Sequence, residues 1–123
     1  MKKAALSELE LDALIEKYRA SSARHGSALA EAKPKVANKE FDTLMALEKE
    51  LRSRGEQAWQ RLRPLLQVPE QGTRYWAAAF LLEFVPDEAE RVLSELASIP
   101  KSLVGLSAEL TLNKWKNGTL KLA

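Results

Sequence analysis

Apolar positions along this chain recur every three or four residues, and no stretch alternates strictly between apolar and polar. The first spacing is that of a helix face, whereas strict alternation would mark a strand. The pattern therefore predicts an all-α protein. Leu11, Leu14, Ile15, Tyr18, Ser22, His25 and Leu29 share one face of a first helix. Ser7 and Glu10 stand at the spacing of a capping box before it. Pro34 disfavours helical backbone at the preceding residue, so this helix should end near Ala32, with Gly26 as an earlier candidate break. A second helix is expected from about Pro34 to Arg54, with Ala37, Phe41, Leu44, Met45 and Leu51 as its apolar stripe. Proline suits its first turn and Gly55 its stop. Two long helices so closely joined predict an antiparallel hairpin over residues 1–54.

A third helix runs through "EQAWQRLRPLLQ", where Pro64 should kink it or restart the pattern. After the turn "VPEQG" comes "RYWAAAFLLEFVPDEAERVL", residues 74–93. Every side chain from Tyr75 to Leu82 is apolar or aromatic. A helix with no polar face is buried all round, so this fourth helix should be the centre of the core. Trp76, Phe80 and Phe84 fill one side, and three successive alanines let neighbours approach closely. Pro86, Asp87 and Glu88 open a fifth helix, which "SIPKS" closes. A sixth spans about Ser102 to Lys116, with Gly118 as its stop. Shifted by 31, Ala58, Leu62 and Leu65 fall on Ala89, Leu93 and Leu96; shifted by 30, Trp76, Ala78, Phe80 and Leu82 fall on Leu106, Ala108, Leu110 and Leu112. A two-helix unit repeated at such a period is the sign of an α-solenoid. Residues 55–118 thus read as two helix pairs. The chain reads as one domain, 1–123, of about six helices in three antiparallel hairpins.

The stretches "RYWAAAFLLEFVPDEAERVLSEL" and "GLSAELTLNKWKNG" resemble the paired helices of HEAT-type repeats. Together with "ANKEFDTLMALEKELRSRG", in which Asn38 and Asp42 stand at matching places, they resemble a family of small bacterial HEAT-like proteins of unknown function. The resemblance covers about Leu14 to Lys116. It implies a HEAT-like stack serving as a helical interaction module, with no catalytic residues to carry over. A toxin-neutralising (immunity) role is one concrete version, by analogy at the level of the fold.

Composition narrows the options. The 46% hydrophobic and 29% charged shares are ordinary for a soluble globular chain. The absence of cysteine excludes thiolate zinc sites, redox motifs and disulfides, and fits a cytoplasmic home. "MKKAALSELELDAL" begins like a signal peptide, but Glu8, Glu10 and Asp12 interrupt it. The longest apolar run is too short to span a membrane. The 19 basic residues are interspersed with 17 acidic ones, and the loose cluster of Arg24, Lys33, Lys35 and Lys39 is flanked by Glu31 and Glu40. Weak nucleic-acid binding therefore stands only as an alternative, as does a single-strand grip by Trp115 and the lysines of "NKWKNGTLKLA".

The polar residue of most interest is His25, the chain's one histidine. A hairpin turning at residues 33 and 34 sets His25 against Asp42 and Leu29 against Asn38. A His–Asp pair beside Ser21 and Ser22 offers a hydrolase alternative. No nucleophile elbow accompanies it, so His25, Asn38 and Asp42 are read as a polar contact fixing the hairpin register. The acids Glu48, Glu50, Asp87, Glu88 and Glu90 are expected on solvated faces or in a helix's first turn. No metal, cofactor or catalysis is expected. The second helices of stacked pairs line a shared surface, so Arg74, Tyr75, Glu83, Thr111 and Lys114 are the candidates for binding another protein. An apolar face left open at one end would allow a homodimer.

Overall fold

In the computed structural model residues 5–120 are described, and every regular element among them is helical. The helices are α1 (Leu11–Ala30), α2 (Pro34–Ser53), α3 (Glu56–Leu62), α4 (Gln71–Leu81), α5 (Pro86–Ala97) and α6 (Leu103–Lys116). Short 3-10 turns lie at Leu6–Glu8 and Arg63–Gln67. The second of these is the Pro64 interruption, since a proline cannot donate to the ladder and tightens the chain where it enters.

The chain start differs from the capping-box expectation. Leu6–Glu8 form their own turn and α1 begins only at Leu11, with Glu10 as its cap residue. Glu8 rather than Glu10 reaches back, accepting from the Ala5 amide at 3.3 Å. Ser7 offers its carbonyl, with that of Leu6, to the Arg54 guanidinium. Helix α1 does not break at Gly26 but runs on to Ala30, and Ala32 then turns the chain with a φ of 56°.

The helices stack as hairpins. α1 packs along α2, α5 along α6, and α4 touches α1, α3, α5, α6 and the second 3-10 turn. This is the central position that its apolar sequence demands. Ala77, Ala78, Leu81 and Leu82 are fully buried, and Trp76 and Phe80 nearly so. The repeat holds at its first helices, where Ala58, Leu62 and Leu65 are buried like Ala89, Leu93 and Leu96. In the second helices it holds only on one side. Ala108 and Leu112 are buried, but Leu106 and Leu110 are about half exposed where their counterparts Trp76 and Phe80 are covered. Phe41 and Arg52 from α2 lie against those two aromatics; α6 ends the row, with no further described helix to cover it.

Two glycines bring α1 and α4 together backbone to backbone. Gly26 of α1 meets Gly72 of α4 so closely that a β-carbon on Gly72 would lie 2.4 Å from the Ser22 carbonyl oxygen and 3.0 Å from the Gly26 α-carbon. The contact is backbone on backbone, so no side chain can swing aside. Beside it the Ser22 hydroxyl donates to Thr73 Oγ1 at 2.8 Å, and Arg19 grips Glu70 through two nitrogens at 3.0 Å each. Gly72→Ala should therefore force the two helices apart and lower stability by about 1–3 kcal/mol, in the range of overpacked sites. Urea unfolding would measure it, and an unchanged midpoint would contradict the crossing described here.

Candidate functional site

Helix α2 carries its polar and apolar residues in an unexpected distribution. Ala37, Leu44 and Leu51 face inward as their spacing predicts, but Leu47, Glu40 and Glu48 are buried with them. Phe41 and Met45, expected in the stripe, are instead 46% and 37% exposed. Helix α2 packs chiefly on α1, whose own polar groups answer the two acids.

Glu40 accepts from the Ser21 hydroxyl at 2.6 Å and from Arg24 Nε at 3.0 Å. Burial alone would raise its pKa; the Arg24 and Ser21 hydrogen bonds, with the charges of Arg24 and Lys39, outweigh it and hold the carboxyl below its ordinary value. Glu48 is treated differently. It accepts from the Tyr18 hydroxyl at 2.7 Å, deep beneath the surface. Burial pushes its carboxyl up to about 7, with the Glu83 charge adding and Tyr18 and Arg52 pulling against it. Burial, then the charge of Glu48, drives the Tyr18 hydroxyl well above its own ordinary value.

Of these residues Glu48 also lines a groove between α2, α4 and α6. Its volume is about 200 Å³, and Phe41, Met45, Trp76, Phe80, Tyr75 and Thr111 are among its walls. Trp76 is fixed from three directions: its indole N–H donates to His25 Nδ1 at 3.2 Å, and the rings of Phe41 and Tyr75 meet it edge-on. Burial lowers the His25 pKa against the pull of Glu40, which suits a ring that accepts at Nδ1. At one end Arg52 pairs with Glu83 and lies 5.0 Å from the centre of the Phe80 ring. Farther along, the Tyr75 hydroxyl shares a 2.8 Å hydrogen bond with Thr111.

The register contact expected of His25, Asn38 and Asp42 is thus made by other residues. Asn38 and Asp42 are exposed, and His25 bonds to Trp76 of α4 instead of an acid of α2. Ser21–Glu40, Arg24–Glu40 and Tyr18–Glu48 tie the hairpin in their place. Since Asp42 points away to solvent, the geometry behind the hydrolase alternative is not formed. Three of the five surface candidates, Tyr75, Glu83 and Thr111, come together in the groove. Arg74 faces a different cleft, and Lys114 is exposed at the end of α6. Of the acids expected on solvated faces, Glu48 is a correction: it is buried. Among the described residues no group of three or more acid or imidazole side chains is placed to hold a metal ion. Nor is any helix among them long and apolar enough to cross a membrane.

Residues 12–115 match the family described as Domain of unknown function (DUF2019). The chain belongs to that family. A crystal structure of the protein RPA1889 from Rhodopseudomonas palustris CGA009 is similar with a TM-score of 0.87, at 21% sequence identity, over 98% of this chain and 100% of that one. At that identity the likeness shows a shared fold. No curated protein matches the chain.

The Glu48 environment makes stability depend on pH. Its folded pKa of about 7 lies above the ordinary 4.5, so the folded chain binds the extra proton between those values. Stability is then present at the acid side of that window and falls as the pH rises through it. Glu48→Gln keeps an acceptor for Tyr18 and cannot ionise. Wild type should lose about 1–3 kcal/mol relative to this variant between about pH 5 and pH 8. Urea denaturation at both pH values would read this, and parallel curves for the two proteins would refute it.

Proposed function

We propose that this member of the family is a non-catalytic, protein-binding module of bacterial origin, built in the HEAT-like manner and working in the cytoplasm, whose partner seats in the groove between α2, α4 and α6. The reading is carried by Phe41 and Met45, two large apolar side chains exposed directly above an aromatic floor. A groove position whose only task was solubility would be filled more stably by polar residues; apolar groups held open beside a hydrogen-bonded rim are the composition of a protein contact. The size of the groove supports the same choice. At about 200 Å³ it is below the roughly 300–1,000 Å³ of small-molecule pockets, and it suits one or two anchoring side chains. Trp76 and Tyr75 supply the rigid aromatic surface that anchors favour. Arg52, Glu83 and the Tyr75–Thr111 pair give the rim its polar partners.

The test places a photo-crosslinking amino acid at position 41 in living cells, with the exposed Gln57 as a control position. One protein should be captured from position 41 and not from position 57. Met45→Glu should cut that capture by about tenfold, the equivalent of about 1.4 kcal/mol, without lowering the melting temperature. Equal capture from both positions, or capture indifferent to Met45→Glu, would rule the groove out as the binding surface.

A further inference from the structure

The geometry points to a second site, independent of the groove: a cleft lined by Arg63, Arg74 and Arg91 that binds a small oxyanion of the phosphate or carboxylate type. The cleft lies between the Arg63–Gln67 turn and α5 and has a volume of about 900 Å³, at the upper end of the range for small-molecule pockets.

Two of its arginines differ from the others in the chain. Arg19, Arg24, Arg52, Arg54, Arg61 and Arg63 each hold a carboxylate. The remaining two, Arg74 and Arg91, make no side-chain hydrogen bond or ion pair among the described residues, and both line this cleft. Arg74 carries the sharper signal. Its Nε is sealed from solvent with no acceptor, as is that of Arg52, but Arg52 has Glu83 on another nitrogen whereas Arg74 has no carboxylate among the described residues; nearly all buried donors find a partner. An arginine presents its nitrogens as a planar fork matched to two oxygens of a carboxylate or phosphate. A small rotation of the Arg74 side chain toward the cleft would bring its fork to an oxyanion there, answering a donor that the protein itself leaves unanswered.

Charge limits the ligand. Three arginines in the cleft stand against two glutamates, Glu88 and Glu95, and Arg63 is already paired with Glu88. One positive charge is in excess, which favours a singly or doubly charged group over a polyphosphate. The amides of Gln60 and Gln67 on the same wall can hydrogen-bond neutral parts of the ligand.

The experiment follows the arginine Nε–H signals of the nitrogen-15-labelled full chain. Inorganic phosphate and, separately, succinate are added to about 50 mM, a range set by the millimolar affinity of single-group ligands, with sodium chloride holding ionic strength constant. The Arg74 and Arg91 signals should shift saturably while that of Arg61, an exposed arginine elsewhere, stays fixed. Saturation by phosphate alone assigns a phosphoryl ligand and by succinate alone a carboxylate; either outcome, or both, upholds the site. Arg74→Lys keeps the charge and loses the fork, and Arg91→Ala removes the second donor. Each should weaken binding about tenfold, and Arg91→Ala carries the comparison if the other variant fails to fold. No saturable shift with either anion, an equal drift of Arg61, or wild-type affinity in Arg91→Ala would overturn the proposal.

Discussion

The contact of two backbones at Gly26 and Gly72 holds this structure in register. Most helix pairs are spaced by side chains, which tolerate a range of separations; where α1 crosses α4 at these glycines, main chain meets main chain. Ser22, Thr73, Arg19 and Glu70 then fix the rotation of one helix on the other through hydrogen bonds on the same stretch. Helix α2 rides on α1, so its position over α4 is inherited from that crossing. The groove between α2 and α4 has its width set from beneath, by a helix that contributes little to its walls.

The two buried acids of α2 show how that seating is secured. Removing a carboxylate from water is costly unless partners replace the lost hydration. Glu40 has a charged partner in Arg24 and stays ionised below its usual range. Glu48 has a neutral phenol as its nearest donor, and burial wins. One hairpin therefore contains an acid that holds its charge and another that gives it up near neutrality. The second lies at the edge of the groove floor, where an added charge would be felt by Arg52 and Glu83.

How much of this was legible in the sequence depends on how local each cause is. The prolines, the uniformly apolar run at 75–82 and the three-four spacing act within a few residues, and they gave the six helices and the central place of α4. The inward turn of Glu40 and Glu48 was not legible, because it depends on Arg24 and Tyr18, 16 and 30 residues away. Spacing puts Phe41 and Met45 in the α2 stripe, but Glu40 and Glu48 are among the residues turned inward and these two lie at the rim. The repeat pattern likewise said nothing of which layer is last, which is why Leu106 and Leu110 match buried aromatics and yet face solvent. His25 was legible as a polar contact but not in its choice of partner, since Trp76 lies in a helix that a two-helix hairpin does not include.

Arg74 and Tyr75 make the same argument at the scale of one peptide bond. Both head α4, and in sequence they look like parts of one surface. Successive residues on a helix point about 100° apart, so one turns to the groove and the other to the cleft beside α5. Helix α4 thereby separates an apolar face from a cationic one while remaining the buried centre of both. Such a division asks little of the rest of the chain. A fold shared at 21% identity tolerates wide change in its side chains, and most surface positions here are free to be polar and paired. Departures from that economical rule, apolar groups left open on one side of α4 and unpaired arginines on the other, are therefore where function is most economically sought.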